Sequence, residues 1–215
     1  MSSSHGPSIL NRLRLGTEFL ALYGGGPLLI LMERRAGLLF GLIWIAALLA
    51  FVWMRQDRPE PHQFPFEVRG ILVRFAVLAP LVVLLAWCLW PDTFLSLPRQ
   101  KPFFWLMIMG LYPLLSVWPQ EVLYRAFLFR RYSVVFGSTE RTVLASALAF
   151  GFAHVIFLNW IAVVMTTLGG LIFARDYGRH RSLKLVCLEH SLYGCLIFTV
   201  GLGRFFYTGA AWHHG

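Results

Sequence analysis

The sequence predicts an all-α fold: a polytopic transmembrane helical bundle of six to seven spans with a membrane-embedded polar cavity. Three observations predict it. Of the 215 residues, 58% are hydrophobic and only 13% are charged, whereas a soluble domain carries roughly a quarter charged residues. Apolar stretches close to the ~20 residues needed by a spanning helix recur along the chain. Finally, three polar signals sit inside such stretches: Gln120 to Arg125, Phe150 to His154, and Glu189-His190. Ionisable groups at bilayer depth are costly and usually face one another or a wet cavity.

The spans follow in order. Segment 36–54 is uninterrupted. Segment 70–90 is apolar except for Arg74, which is near enough to its start to snorkel to the interface. Segment 102–118 runs on into the Gln120–Arg125 motif and then Arg130-Arg131. Segments 142–158, 160–174 and 185–206 complete the six. Leu158 and Trp160 leave almost no loop, so Asn159 reads as the cap or turn residue of a tight helical hairpin. Segment 17–32 is ambiguous, because it holds Glu18 and the Gly24-Gly25-Gly26-Pro27 break. A seventh span, a re-entrant segment and an interfacial helix all fit it. The division is into 1–101, membrane segments without a readable motif, and 102–215, which holds all three polar signals.

A formal net charge of +9 does not point to nucleic acid, because the basic residues cluster between apolar runs. Loops 55–69, 130–141 and 175–184 carry three, three and four Lys/Arg, against two in 91–101, none at the Asn159 turn and one after 203. The positive-inside rule puts the richer set in the cytoplasm. The N-terminus joins them if 17–32 crosses, which is the favoured reading. Residues 1–10 are polar and lack the apolar core of a cleaved signal peptide. Cys88, Cys187 and Cys195 have no metal-site spacing and read as buried free thiols. His213 and His214 read as a solvated tail.

Glu121 and Arg125 stand i, i+4 on one helix face and can pair. That pairing alone could be a structural ion pair. Pro119 just before them favours a kink and frees a carbonyl, a setting that often borders a cavity. At a 1.5 Å rise per residue, Glu121 lies roughly 13 Å, His190 roughly 9 Å and His154 roughly 20 Å inside the cytoplasmic edge. A glutamate with two histidines allows two chemistries. One is general-base activation of water. The other is a Zn2+ site on Glu121, His154 and His190 with an open position for water. Neither His-x-x-x-His nor His-Glu-x-x-His occurs, so the expectation is no cofactor, with Zn2+ as the alternative.

The order Glu-x-x-x-Arg, Phe-x-x-x-His and a final His resembles the CPBP family, the CAAX-protease and bacteriocin-processing intramembrane proteases. The resemblance covers roughly residues 100–205 and includes the Arg-Ala-Phe-Leu-Phe run from Arg125. It implies a helical bundle with a conical cavity open to the cytoplasm. It also implies peptide-bond hydrolysis near the C-terminus of membrane-associated proteins. The family's first motif usually reads Glu-Glu-x-x-x-Arg, its first Glu taken as the base and the Phe-x-x-x-His histidine as its partner. The third usually reads His-x-x-x-Asn and is taken to stabilise the oxyanion. This chain has Gln120 at the first Glu and Gly194 at the Asn.

Three readings of these departures stay open. Glu121 can be the base with Gln120 as a hydrogen-bond donor; Glu189 can enter the site; or hydrolysis is lost and the cavity kept. Tyr193, Ser191 or Asn159 are candidates to replace the missing donor. The expected function is an intramembrane endopeptidase acting on membrane proteins or peptides in a bacterial inner membrane, its site facing the cytoplasmic half. Glu121 would be the base, His154 its partner, His190 an oxyanion or positioning group, and Arg125 the group orienting Glu121. The alternative is a non-catalytic scaffold or immunity protein that binds a partner helix or peptide.

Overall fold

A computed structural model describes residues 8–55 and 67–207, and its regular elements there are all helical. Helix α1 runs Ile9–Glu33, α2 Ala36–Arg55 and α3 Glu67–Leu89. A short α4, Ser96–Gln100, precedes the long α5, Pro102–Phe136. Then come α6 (Thr139–Ala153), α7 (Trp160–His180) and α8 (Leu183–Thr199). Five stretches are long and apolar enough to cross a membrane: α1, α2, α3, α5, and α6 with its 3-10 extension to Phe157. His213 and His214, and most of loop 55–69, lie outside the described residues.

The Gly24-Gly25-Gly26-Pro27 stretch does not break α1. A π turn at Ala21–Gly25 widens the helix, and Gly26 N–H reaches back to the Ala21 carbonyl. Pro27 then sits at the second position of the α-helical segment that follows, Gly26–Glu33. α5 uses the same device twice, with π turns at Pro113–Val117 and Val122–Phe127. The expected opening at Pro119 is thus taken up by wide turns on either side of it.

α1 and α5 run antiparallel: Glu18 meets Arg131 and Tyr132, and five residues on Tyr23 O–H donates to the Leu123 carbonyl at 2.7 Å. α6 and α7 form the tight hairpin expected around Asn159. Leu158 adopts a left-handed φ of 52°, and the Asn159 side chain accepts from Ile161 N–H at 2.8 Å. Small residues let the two helices close: a Cβ at Gly170 would stand 3.1 Å from Phe150 Cδ1 and 3.3 Å from the Ala147 backbone. Ser138 and Ser182 cap α6 and α8 by accepting backbone N–H groups.

The main core gathers Leu128, Phe129, Tyr132, Val143, Phe150 and Phe173 between α5, α6 and α7. By contrast α2 and α3 turn Leu49, Val52, Val77 and Trp87 outward. An apolar outer surface of this kind suits lipid, not water. The polar motifs therefore lie on the best-buried helices.

Candidate active site

Glu121 ends a single α-helical turn, Trp118–Glu121, held between the two π turns of α5. π turns are common where a helix must aim functional side chains. Two carbonyls of the turn after Glu121 take donors from other helices: Leu123 accepts from Tyr23 O–H as well as from Leu128 N–H, and Tyr124 accepts from Ser146 Oγ at 2.6 Å. Glu121 and Arg125 are both 0% exposed, which would be untenable for either alone. Arg125 Nε lies 3.3 Å from Glu121 Oε2, a close ion pair without hydrogen-bond alignment. Its Nη1 donates to Ser146 Oγ at 3.3 Å, and its guanidinium lies over the Phe150 ring at 4.6 Å. The pairing read from the i, i+4 spacing is present, and aromatic faces add to it.

His190 comes to the same carboxylate from α8. Its Nδ1 is 2.8 Å from Glu121 Oε1. An ionised carboxylate only accepts, so Nδ1 carries the proton there. The other ring nitrogen, Nε2, faces the Tyr112 hydroxyl at 3.0 Å. The ring stacks on Phe173 at 4.8 Å and meets the edge of Phe150 at 5.5 Å. Packing on both faces and bonds at both nitrogens fix its orientation.

His154 is placed differently. It caps α6 with φ −89° and ψ 2°, and its Nδ1 lies 2.7 Å from the Phe150 carbonyl. A carbonyl accepts, so Nδ1 is the protonated nitrogen and Nε2 of the neutral ring is an acceptor. Among the described residues no hydrogen bond joins His154 to Glu121. The Phe150 ring, 4.8 Å from His154, is the neighbour that His154 and His190 share. The histidine hydrogen-bonded to Glu121 is His190.

Gln120 turns away from Glu121. Its Nε2 donates to Ser116 Oγ at 2.8 Å, and its amide oxygen is buried without a hydrogen-bond partner among the described residues. Glu189 is also drawn elsewhere: Arg74 Nε on α3 donates to Glu189 Oε1 at 2.9 Å, and Arg74 pairs with Asp176 of α7 as well. Arg74 thus bridges two acids, one on α7 and one on α8. Adjacent residues on a helix point about 100° apart, and here that sends His190 to Glu121 and Glu189 to Arg74. Among the described residues, no three His, Cys, Asp or Glu side chains gather as a group that could hold a metal ion. A shallow groove of about 300 Å3 between α3 and α8, lined by Phe75, Ser191, Leu192, Cys195, Leu196 and Thr199, is largely apolar and lies on the face of α8 away from His190.

Sequence reasoning missed Tyr112, Ser146, Phe173 and Asp176. Tyr112 precedes Glu121 by nine residues, which in a plain α-helix puts them on opposite faces. The π turn at Pro113–Val117 sets the following residues back by about one position, or ~100°, and brings both toward His190. The signals that could have found these residues are the prolines at 113 and 119 and the hydroxyls interrupting apolar helices.

Residues 101–196 match the family model of the type II CAAX prenyl endopeptidase Rce1-like proteins. No curated protein and no solved structure matches the chain. The matched stretch holds Glu121, Arg125, His154 and His190 together, so the resemblance stated from the motifs is shown over it. With its apolar helices, the chain is a multi-pass membrane protein.

Proposed function

From the premise that residues 101–196 are Rce1-like, in the CPBP family, we propose that this protein is an intramembrane endopeptidase that cleaves membrane proteins or membrane-bound peptides with water activated by Glu121. The observation carrying this reading is the buried Glu121–His190 pair, Nδ1 to Oε1 at 2.8 Å, next to an Oε2 that no aligned hydrogen bond from the described residues occupies. One carboxylate oxygen is anchored and the other keeps lone pairs for a proton.

Glu121 Oε2 takes a proton from water, and the oxygen adds to the scissile carbonyl carbon. Arg125, 3.3 Å from that carboxylate, pairs with it and aims it. His154 offers Nε2 as an acceptor for the water's second hydrogen, because its Nδ1–H is committed to the Phe150 carbonyl. The tetrahedral intermediate collapses as the C–N bond breaks, and Glu121 returns its proton to the leaving nitrogen. Gln120 has no proton-accepting role in this scheme. No metal is invoked.

We take the bundle to have seven spans, α7 and α8 completing the five long apolar helices. The Glu18–Arg131 pair supports a crossing α1, because it puts the start of α1 at the same end of the bundle as loop 130–141. The basic loops then lie in the cytoplasm, with the site in the cytoplasmic half of a bacterial inner membrane and a polar cavity admitting the peptide.

Cleavage of a membrane-protein peptide library in liposomes tests the reading. Wild type should cleave with and without chelator, and Glu121→Gln should not. If wild type is inert and only Gln120→Glu cleaves, Glu121 is not the base, and a peptide-binding scaffold is the surviving reading.

A further inference from the structure

Gly194 stands one helical turn after His190, where a Cβ would have no room. It would lie 2.6 Å from Tyr112 Cζ and closer still to Cε1 and the hydroxyl oxygen. The volume a side chain at 194 would use is thus filled by the phenol of Tyr112, reaching in from α5. The same hydroxyl is 3.0 Å from His190 Nε2, and the ring is wedged against Phe198 at 5.3 Å.

We infer that Tyr112 replaces the missing third-motif asparagine and is the positioning residue for His190, an inference that rests on the endopeptidase reading. The hydrogen bonds fix the direction. Glu121 accepts from Nδ1–H, so Nε2 of neutral His190 is an acceptor, and the phenol is the donor that fits it. The chain Tyr112 O–H to His190 to Glu121 holds one tautomer and fixes one carboxylate oxygen. Gly194 and Tyr112 form an exchange: a side chain at 194 and a ring at 112 exclude each other.

The other candidate donors are committed or face away. Ser191 Oγ donates to the Cys187 carbonyl at 2.6 Å, and Asn159 caps α7. Tyr193 packs against Phe75 at 5.2 Å, on the side of α8 where Glu189 meets Arg74.

The test uses the full-length protein in liposomes. Tyr112→Phe keeps the ring and removes only the hydroxyl. It should lower kcat about tenfold, the loss of one hydrogen bond in the reacting state, with KM and melting temperature near wild type. The 15N resonance of His190 Nε2 should move toward that of an unbonded acceptor. Gly194→Asn alone should unfold more readily and cleave poorly. Tyr112→Ala with Gly194→Asn should recover both stability and kcat relative to Gly194→Asn. Wild-type kcat with an unmoved Nε2 resonance in Tyr112→Phe overturns the inference, as does a double variant no better than Gly194→Asn. If wild type itself does not cleave, the endopeptidase reading fails, and the Nε2 resonance and the stability cycle still decide the Tyr112–His190–Gly194 exchange.

Discussion

Trp44 on α2 donates its indole N–H to the Leu115 carbonyl of α5 at 3.0 Å, four residues before Pro119, the residue with no N–H to give. A carbonyl without a partner in lipid is costly. Trp44→Phe should therefore destabilise the protein by about 1 kcal/mol. Pro119→Ala, which restores the backbone donor, should cancel much of that loss. A double-mutant cycle of thermal unfolding in detergent checks it, and additive losses would show that the indole bond carries no weight.

Arg74 reaches both Asp176 and Glu189, and Glu189 is 0% exposed. Removing one partner of a fully buried pair costs about 3–5 kcal/mol. Arg74 keeps about a third of its side chain exposed, so Arg74→Met should cost less, about 2 kcal/mol after solvent screening. Glu189→Gln in the same background should restore part of it. Unfolding midpoints of wild type, the single variant and the double variant give the answer.

Glu121→Gln keeps the side chain's shape and removes its basicity. Cleavage should fall by about 10²–10⁴, the range for losing a general base. Arg125→Lys keeps the charge but not the planar contact over Phe150, and should lower both kcat and stability. Rates equal to wild type in Glu121→Gln would remove this carboxylate from the mechanism.

Gly170→Leu should push α7 off α6, since even a Cβ there stands 3.1 Å from Phe150 Cδ1. Overpacking of this kind costs about 1–3 kcal/mol. Because Phe150 lies against both His154 and His190, cleavage should drop as well. Gly169→Ala is the control: its Cβ would meet only Phe173, at 3.5 Å, and should change neither quantity by much.

What was legible in the sequence were local relations. The Glu121–Arg125 pair followed from a spacing of four, and the Asn159 cap from the lack of room between two apolar runs. Relations between helices were not legible. Arg74 looked like a residue near a span's start, and only the packing of α3 on α8 shows Glu189 beside it. That His190 is the histidine bonded to Glu121 has the same origin, because helix rotation decides it. The glycine-proline run in α1 could signal a break or a widened turn, and composition does not choose between them.

The π turn between Tyr112 and Glu121 makes the number of residues in α5 as consequential as their identity. Deleting one residue from 113–117 would restore regular winding and improve local hydrogen bonding. It would also turn the two functional side chains about 100° out of step. Mutational scanning by substitution would pass over Leu114 and Leu115, whose side chains are largely exposed. A scan of single-residue deletions would find the stretch intolerant, and a compensating insertion a turn away would restore function without restoring the original sequence.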